Sequence, residues 1–537
     1  MAEPDRLAAL LEGLARADAP DTGPALVGTV AGSARARDAW ARRLPDLARA
    51  VGAGAGASLW EDRPTNQALG LLLLWERVRA GVPPGAGALF AFAIGEGTRA
   101  APFTQAEGGE KGALASYRGG ARGRDDAPTW LEVALWAFAP VEAHLRRSGF
   151  DGLVVKWGDE VLLPGRALPP DPALADADVV RFVSVRPITA EAAASKDWLA
   201  VGADGRITAF LPRRPLAAFE ALAAAGRIRR SPAGPVAGVN LGSIAVSRGL
   251  LDVLVEAFGG DLADLGADPR RRPDLDPQLF TALTVAALDD PAARADAWAQ
   301  AMAEVPAVRA VDGWMPDLVR RLRAALDRLA DRRGRAVRFV ALDLGDPWWA
   351  DLGDQRGIRA ALMQLRAPGP DGTVARALAR IPEAADAHGN RFAGDCRIAP
   401  GVRVRGSVLV DAHLQAGEVV DSVLVGTRAG HVDAHGAFDV DSAACRLSLG
   451  RGAGAYKLLA DVAAVGPGER LTTLVTADGL LPLRGAEGLD LRDRAASWDV
   501  PVLGNRVSLR EAQGLADPGR RASAREAVLR VIGGSPA

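Results

Sequence analysis

Three side chains could do chemistry together in this chain. Arg99 and Lys111 accompany a glycine loop, and Asp159 closes an apolar run. The loop reads Phe92-Ala93-Ile94-Gly95-Glu96-Gly97-Thr98-Arg99-Ala100-Ala101-Pro102-Phe103-Thr104, after Ala88-Leu89-Phe90-Ala91. An apolar run that stops at glycine predicts a buried strand entering a tight turn. Gly95 and Gly97 would let backbone N–H groups approach a ligand closely. Such groups favour phosphate oxygens, and Arg99 and Lys111 add positive charge at the same place. Asp159 ends Leu153-Val154-Val155-Lys156-Trp157-Gly158-Asp159, and a carboxylate beyond a strand end suits a Mg²⁺ ion that carries a nucleotide. Taken singly, the Gly-x-Gly also fits a structural turn, and Asp159 a turn after a strand.

The elements around these residues alternate in the manner of an α/β protein. Residues 1–80 are expected to be helical, with Leu7, Leu10, Leu11 and Leu14, then Trp40, Leu44 and Leu47, at helical spacing. Thr65-Asn66 would cap a third helix carrying the leucine run. An amphipathic helix is expected over Trp130–Arg147, and strands over 153–155, 179–185, 237–246 and 337–344. Ala203-Asp204-Gly205-Arg206 predicts a hairpin turn. Residues 259–335 read as a mostly helical insertion. Beyond about 390, Ile398, Val404 and Val410 recur every six residues with small residues between them, which predicts short strands stacked in a parallel β-helix. Strands are expected at Leu471–Val475 and Val500–Val507, and a terminal helix at Ser523–Ile532.

The loop resembles that of the sugar-1-phosphate nucleotidyltransferases, the nucleotide-sugar pyrophosphorylases, in which a strand leads into Gly-Gly-x-Gly-Thr-Arg and then Pro, Thr and Lys. Trp349-x-Asp351-x-Gly353 resembles the family's Trp-x-Asp-x-Gly, and Asn240-x-Gly242 its Asn-x-Gly strand. Arg213-Arg214-Pro215 stands where the family has Glu-Lys-Pro, and Ile94 where it has its first loop glycine. The resemblance implies a Rossmann-like (GT-A-type) mixed sheet and a C-terminal left-handed parallel β-helix. It implies that Gly95, Glu96, Gly97 and Thr98 bind a nucleoside triphosphate, with Arg99 and Lys111 acting on its phosphates. Asp159 and Asp351 would hold Mg²⁺, and Arg214, Asn240 and Gly242 would meet a sugar 1-phosphate. The expected organisation is a helical region at 1–82, a catalytic domain at 83–385, a β-helix at 390–510 and a helix and tail at 511–537.

The 537 residues carry a formal net charge of −1, with 49% hydrophobic and 24% charged residues, which gives no sign of a nucleic-acid partner. The longest early apolar run, Ala68–Trp75, is too short for a membrane span. Two cysteines, Cys396 and Cys445, fit small core positions in a reducing cytoplasm. His413, His431 and His435 would suit metal binding or an acyltransferase base, or simply surface positions. Two further readings stay open: a non-catalytic scaffold relative, and a bifunctional enzyme with an acyltransferase β-helix. The β-helix is otherwise expected to support a homo-oligomer or to pack on the catalytic domain.

Overall fold

The computed structural model describes all residues except 1–2, 19–22, 61–66, 94–96, 111–113, 115–128, 265–278, 304–313, 394–396, 399–402, 406–407, 411–412, 415–417, 421–422, 426–427, 436–437, 441–442, 490, 492–495 and 532–537. It is a mixed α/β protein built on a ten-stranded, parallel-rich sheet. The sheet contains β1 (Leu26–Ala31), β2 (Ala55–Trp60), β3 (Ala88–Ala93), β4 (Gly152–Trp157), β6 (Val179–Pro187), β7 (Trp198–Val201), β8 (Ile207–Leu211), β9 (Arg229–Ser231), β10 (Gly234–Ser247) and β11 (Phe339–Asp343). β5 (Glu160–Leu163) and β12 (Trp348–Asp351) pair as a separate ribbon.

The main path of the sheet runs β11-β6-β10-β4-β3-β1-β2. β1, β2, β3 and β4 are mutually parallel, and β10 enters antiparallel between β4 and β6. β1, β3 and β4 are nearly continuous apolar runs because both faces of the sheet are covered there. Leu89, Ala91 and Ala93 of β3 join the core beneath α1 (Glu3–Asp18), α2 (Ala34–Ala50), α4 (Trp130–Arg147) and α12 (Gly369–Ala379). Ala88, Phe90 and Phe92 point into the opposite core, beneath α3 (Gln67–Val78), α7 (Arg248–Asp264), α8 (Leu279–Ala286) and α10 (Trp314–Arg333). α4 begins at a capping box in which Thr129 and Glu132 satisfy each other's backbone N–H groups. Chain order reverses between β1 and β3, the kind of switch point beside which open α/β sheets form a ligand crevice beyond their strand ends.

The N-terminal 82 residues are not helical throughout. α1, α2 and α3 carry the expected leucine and tryptophan faces, but β1 and β2 belong to the central sheet and pair in parallel from Leu26↔Ala55 to Ala31↔Trp60. Leu26-Val27-Gly28-Thr29-Val30-Ala31 is aperiodic, β-branched and buried along its whole length, which marks an interior strand. The Thr65-Asn66 cap lies outside the described residues.

From Arg391 to Thr476, short parallel strands stack in two sheets. Val408 pairs with Val423 and Val423 with Phe438, so successive coils are offset by fifteen residues rather than by a multiple of six. Glu469–Thr476 and Gly479–Ala486 then form an antiparallel hairpin, and Arg521–Val531 a helix. The expected strand at Val500–Val507 is absent. Pro501 cannot donate to a ladder, and Leu503 adopts a left-handed φ of 54° in a turn. His413, His431, His435 and Cys445 fall in strands, while Cys396 lies outside the described residues. No helix among the described residues is long and apolar enough to cross a membrane.

Candidate active site

The parallel register sets the first part of the site. Phe92 pairs with Trp157, and the Gly158 N–H donates to the Phe92 carbonyl at 3.0 Å. The end of β3 therefore lies against the turn that carries Asp159. Within the glycine loop Gly97 has a φ of 57°, which favours glycine. Its carbonyl accepts from the Ala100 N–H at 3.0 Å and the Thr104 hydroxyl at 3.1 Å. Phe103, Thr104 and Gln105 are buried behind the loop, leaving Arg99 exposed. Ile94, Gly95, Glu96 and Lys111 lie outside the described residues.

The β5–β12 ribbon brings in the second carboxylate. Asp351 pairs with Glu160 across the ladder, and the Leu352 N–H donates to the Asp159 carbonyl at 2.8 Å. The Gly353 N–H donates to Asp351 Oδ1 at 2.8 Å, and Asp354 then caps α11 (Gln355–Gln364). A Cβ placed on Gly353 would stand 3.0 Å from Asp159 Oδ2, 3.0 Å from Asp351 Oδ1 and 3.1 Å from Arg99 Nη2. These three polar atoms surround one small open point, none farther from another than twice that distance. Three residues distant in sequence thus meet, and glycine is the residue that leaves room between them.

A third carboxylate, Glu160, was not anticipated as functional, although it directly follows Asp159. Burial pushes its pKa up to about 7, Lys156 opposes that rise, and the charges of Asp159 and Asp351 add to it. Lys156 is completely buried, 3.2 Å from Glu160 and over the Phe138 ring. A buried ammonium needs such a partner. Gly242, at a φ of 77° in a bulge of β10, lies against Trp157 and Glu160. A Cβ there would come 2.9 Å from the Trp157 ring. Asn240 Oδ1 accepts from Arg181 Nη2 at 2.6 Å and from the Gly242 N–H at 3.3 Å. With its oxygen doubly engaged, the Asn240 amide has N–H donors to offer a ligand. Burial lowers the Arg181 pKa to about 10, and the charge of Asp197 counters this.

Arg214 is placed differently from the rest. Its guanidinium donates to Gln300 of α9 (Pro291–Ala303), and Arg213 lies 3.7 Å from Asp197. Both engagements are outside the Arg99–Asp159–Asp351 cluster.

The region after 391 grips the glycine loop from behind. Glu107 pairs with Lys457 at 2.6 Å and accepts from the Tyr456 hydroxyl at 2.5 Å, while Phe103 packs on the Tyr456 ring. Gln355 of α11 donates to the Ala101 carbonyl.

The donor chemistry fits a hard cation that is only partly held by protein. Two carboxylate oxygens near one point could take two positions of a Mg²⁺ shell, leaving the others to phosphate and water. Among the described residues, no group of three or more His, Cys, Asp or Glu side chains could hold a metal ion. No protein-family model matches the chain, and no curated protein matches it.

Proposed function

We propose that the protein is a Mg²⁺-dependent sugar-1-phosphate nucleotidyltransferase, converting a nucleoside triphosphate and a sugar 1-phosphate into a nucleotide sugar and pyrophosphate. The observation that carries this reading is the meeting of Arg99, Asp159 and Asp351 around Gly353. On the same reading, the central sheet is a Rossmann-like, GT-A-type catalytic domain and the stacked strands form a left-handed parallel β-helix.

A sugar-phosphate oxygen attacks the α-phosphorus, a new P–O bond forms, and the bond to the β-phosphate oxygen breaks to release pyrophosphate. No general base is needed, because a phosphate monoester is largely dianionic near neutral pH. Catalysis is then charge neutralisation and alignment of two anions. Arg99, with the loop amides of Gly95, Glu96, Gly97 and Thr98, holds the departing phosphates, and Lys111 neutralises the α-phosphate. Asp159 and Asp351 hold Mg²⁺, which supplies Lewis-acid charge to the phosphate oxygens. Asn240 donates to the sugar, and the left-handed Gly242 keeps the floor beside Trp157 open. The test is pyrophosphate release from each nucleoside triphosphate with a panel of hexose 1-phosphates. Release in wild type, lost in both Asp159→Asn and Asp351→Asn, supports the assignment, while near-normal rates in both variants overturn it.

The engagement of Arg214 with Gln300 favours a second reading, a non-catalytic relative that kept the fold. Nucleotide binding without turnover of any pair would support that reading instead.

A further inference from the structure

The nucleotidyl-transfer reading requires a cation for the acceptor phosphate, and the two arginines at the expected place are engaged elsewhere. Arg214 donates to Gln300, and Arg213 faces Asp197. Lys196 directly precedes Asp197 in the chain. Its ammonium lies 4.5 Å from the centroid of the Trp349 ring. Trp349 and Asp351 are alternate residues of β12, separated by about 7 Å along the strand. Trp348 and Ala350 are buried, so Trp349 and Asp351 share the more open face, with Glu160 opposite Asp351.

The backbone holds Lys196 in place. Its N–H caps α5 (Ala190–Ser195) by donating to the Ala192 carbonyl at 3.0 Å. The next carbonyl, of Asp197, accepts from the Asn240 N–H at 2.9 Å. Trp198 is fully buried, pairs with Val239 and donates its indole N–H to Ala192. Lys196 therefore sits between Asn240 on one wall and the Trp349–Asp351 face on the other. Among the described residues, no carboxylate lies within ion-pair distance of its ammonium. An aromatic ring orients an ammonium without cancelling its charge. A fixed, uncancelled cation on a flexible stem is suited to a phosphate monoester.

We propose that Lys196, seated on Trp349, binds the phosphate of the sugar 1-phosphate, the role that the family resemblance gives to Arg214. This rests on the nucleotidyltransferase reading, and it names the acceptor side of the same site.

The test compares Lys196→Ala, Lys196→Arg and Arg214→Ala in the full chain, with thermal unfolding to confirm folding. With a turnover assay, Lys196→Ala should raise KM for the sugar 1-phosphate by about tenfold to a hundredfold, the cost of a charge-assisted hydrogen bond. KM for the nucleotide should stay within about twofold, and Lys196→Arg should recover part of the loss. Trp349→Leu should give a smaller change in the same direction. An unchanged acceptor KM in Lys196→Ala, an equal rise for both substrates, or an acceptor-specific rise only in Arg214→Ala each overturns the proposal.

If the wild-type chain turns over no substrate pair, the functional reading fails, and Lys196 is judged by calorimetric binding of glucose, galactose and mannose 1-phosphates against the free sugars. Phosphate-dependent binding that is lost in Lys196→Ala and kept in Arg214→Ala supports the assignment. Equal binding by the two variants, or no binding by wild type, overturns it.

Discussion

Two carboxylate sites at the central sheet have opposite charge balances. At the start of β6, Asp178 is fully buried and held by cations and donors. Arg333 and Arg335 both pair with it, and the Arg338 N–H donates to it at 2.9 Å. One negative charge there meets two positive ones. At the ends of β4 and β12, burial above all pushes the Glu160 pKa up, and the charges of Asp159 and Asp351 add to that rise. Among the described residues their cationic neighbours include the buried Lys156 and the exposed Arg99. A structural ion cluster saturates its carboxylate, whereas a cluster that gathers acids without matching cations costs stability unless a further cation joins it. The second arrangement persists at the mouth of the crevice, where a metal–nucleotide complex would supply that charge.

The largest expected effect separates the two sites by kind. Asp351→Asn and Asp159→Asn should each lower pyrophosphate release by at least about a hundredfold, since each removes an oxygen proposed to hold the metal. Melting temperature should hold or rise, because a repulsive charge is gone. Chelation of Mg²⁺ should reproduce the activity loss in wild type and leave the far-ultraviolet circular dichroism intact. Asp178→Ala should do the reverse. It strands two arginines and a backbone N–H, with a loss of about 3 kcal/mol in denaturant unfolding. Equal destabilisation at the two sites would erase the contrast.

Two neighbouring glycines sharpen it further. A Cβ on Gly357 would stand 1.8 Å from the Asp351 backbone carbonyl, so Gly357→Ala must move α11 and should cost about 1–3 kcal/mol. A Cβ on Gly353 meets only the ends of three side chains, which can turn aside. Gly353→Ala should therefore leave the unfolding midpoint nearly unchanged while cutting turnover by about tenfold, because it spoils the alignment of Arg99, Asp159 and Asp351. Paired melting curves and initial rates separate these outcomes.

The legibility of the site follows from what a sequence can express. The strand entering the glycine loop, the strand ending at Asp159 and the Trp349-x-Asp351 segment each announce themselves by an abrupt change from apolar to polar or glycine. The meeting of Arg99, Asp159 and Asp351 depends on the parallel register Phe92↔Trp157 and the antiparallel register Asp351↔Glu160. Those pairings join distant segments and leave no local trace. β1 and β2 were read as part of a helical region because flanking helices with clear leucine faces dominate that stretch. The partner of Arg214 is hidden for a related reason. The basic tripeptide is visible in sequence, but Gln300, the group that holds Arg214, comes from a segment with no motif of its own. Lys196 carries no motif either, and its position depends on an aromatic ring more than 150 residues away.

A further expected effect concerns pH, and it again divides the two kinds of site. Glu142 lies within α4, almost fully buried and 3.3 Å from Arg146, well away from the acidic cluster in its contacts. Burial pushes its pKa up from 4.5 to about 7, against the pull of Arg146. The folded chain thus keeps a proton that the unfolded chain releases near 4.5. This contribution to stability is fully present below that value and is lost as pH rises through about 7. Glu142→Gln should remove roughly 2–3 kcal/mol of pH-dependent loss between pH 5 and 8, read from denaturant midpoints. Glu160 has the same direction of shift, but its neighbours include the two proposed metal ligands. Added Mg²⁺ should therefore flatten the Glu160 part of the slope, by favouring its ionised form, and leave the Glu142 part untouched. A slope that Mg²⁺ flattens equally in wild type and Glu160→Gln would place the responsible titration away from the cluster, and the charge surplus at the strand ends would no longer distinguish it from Asp178.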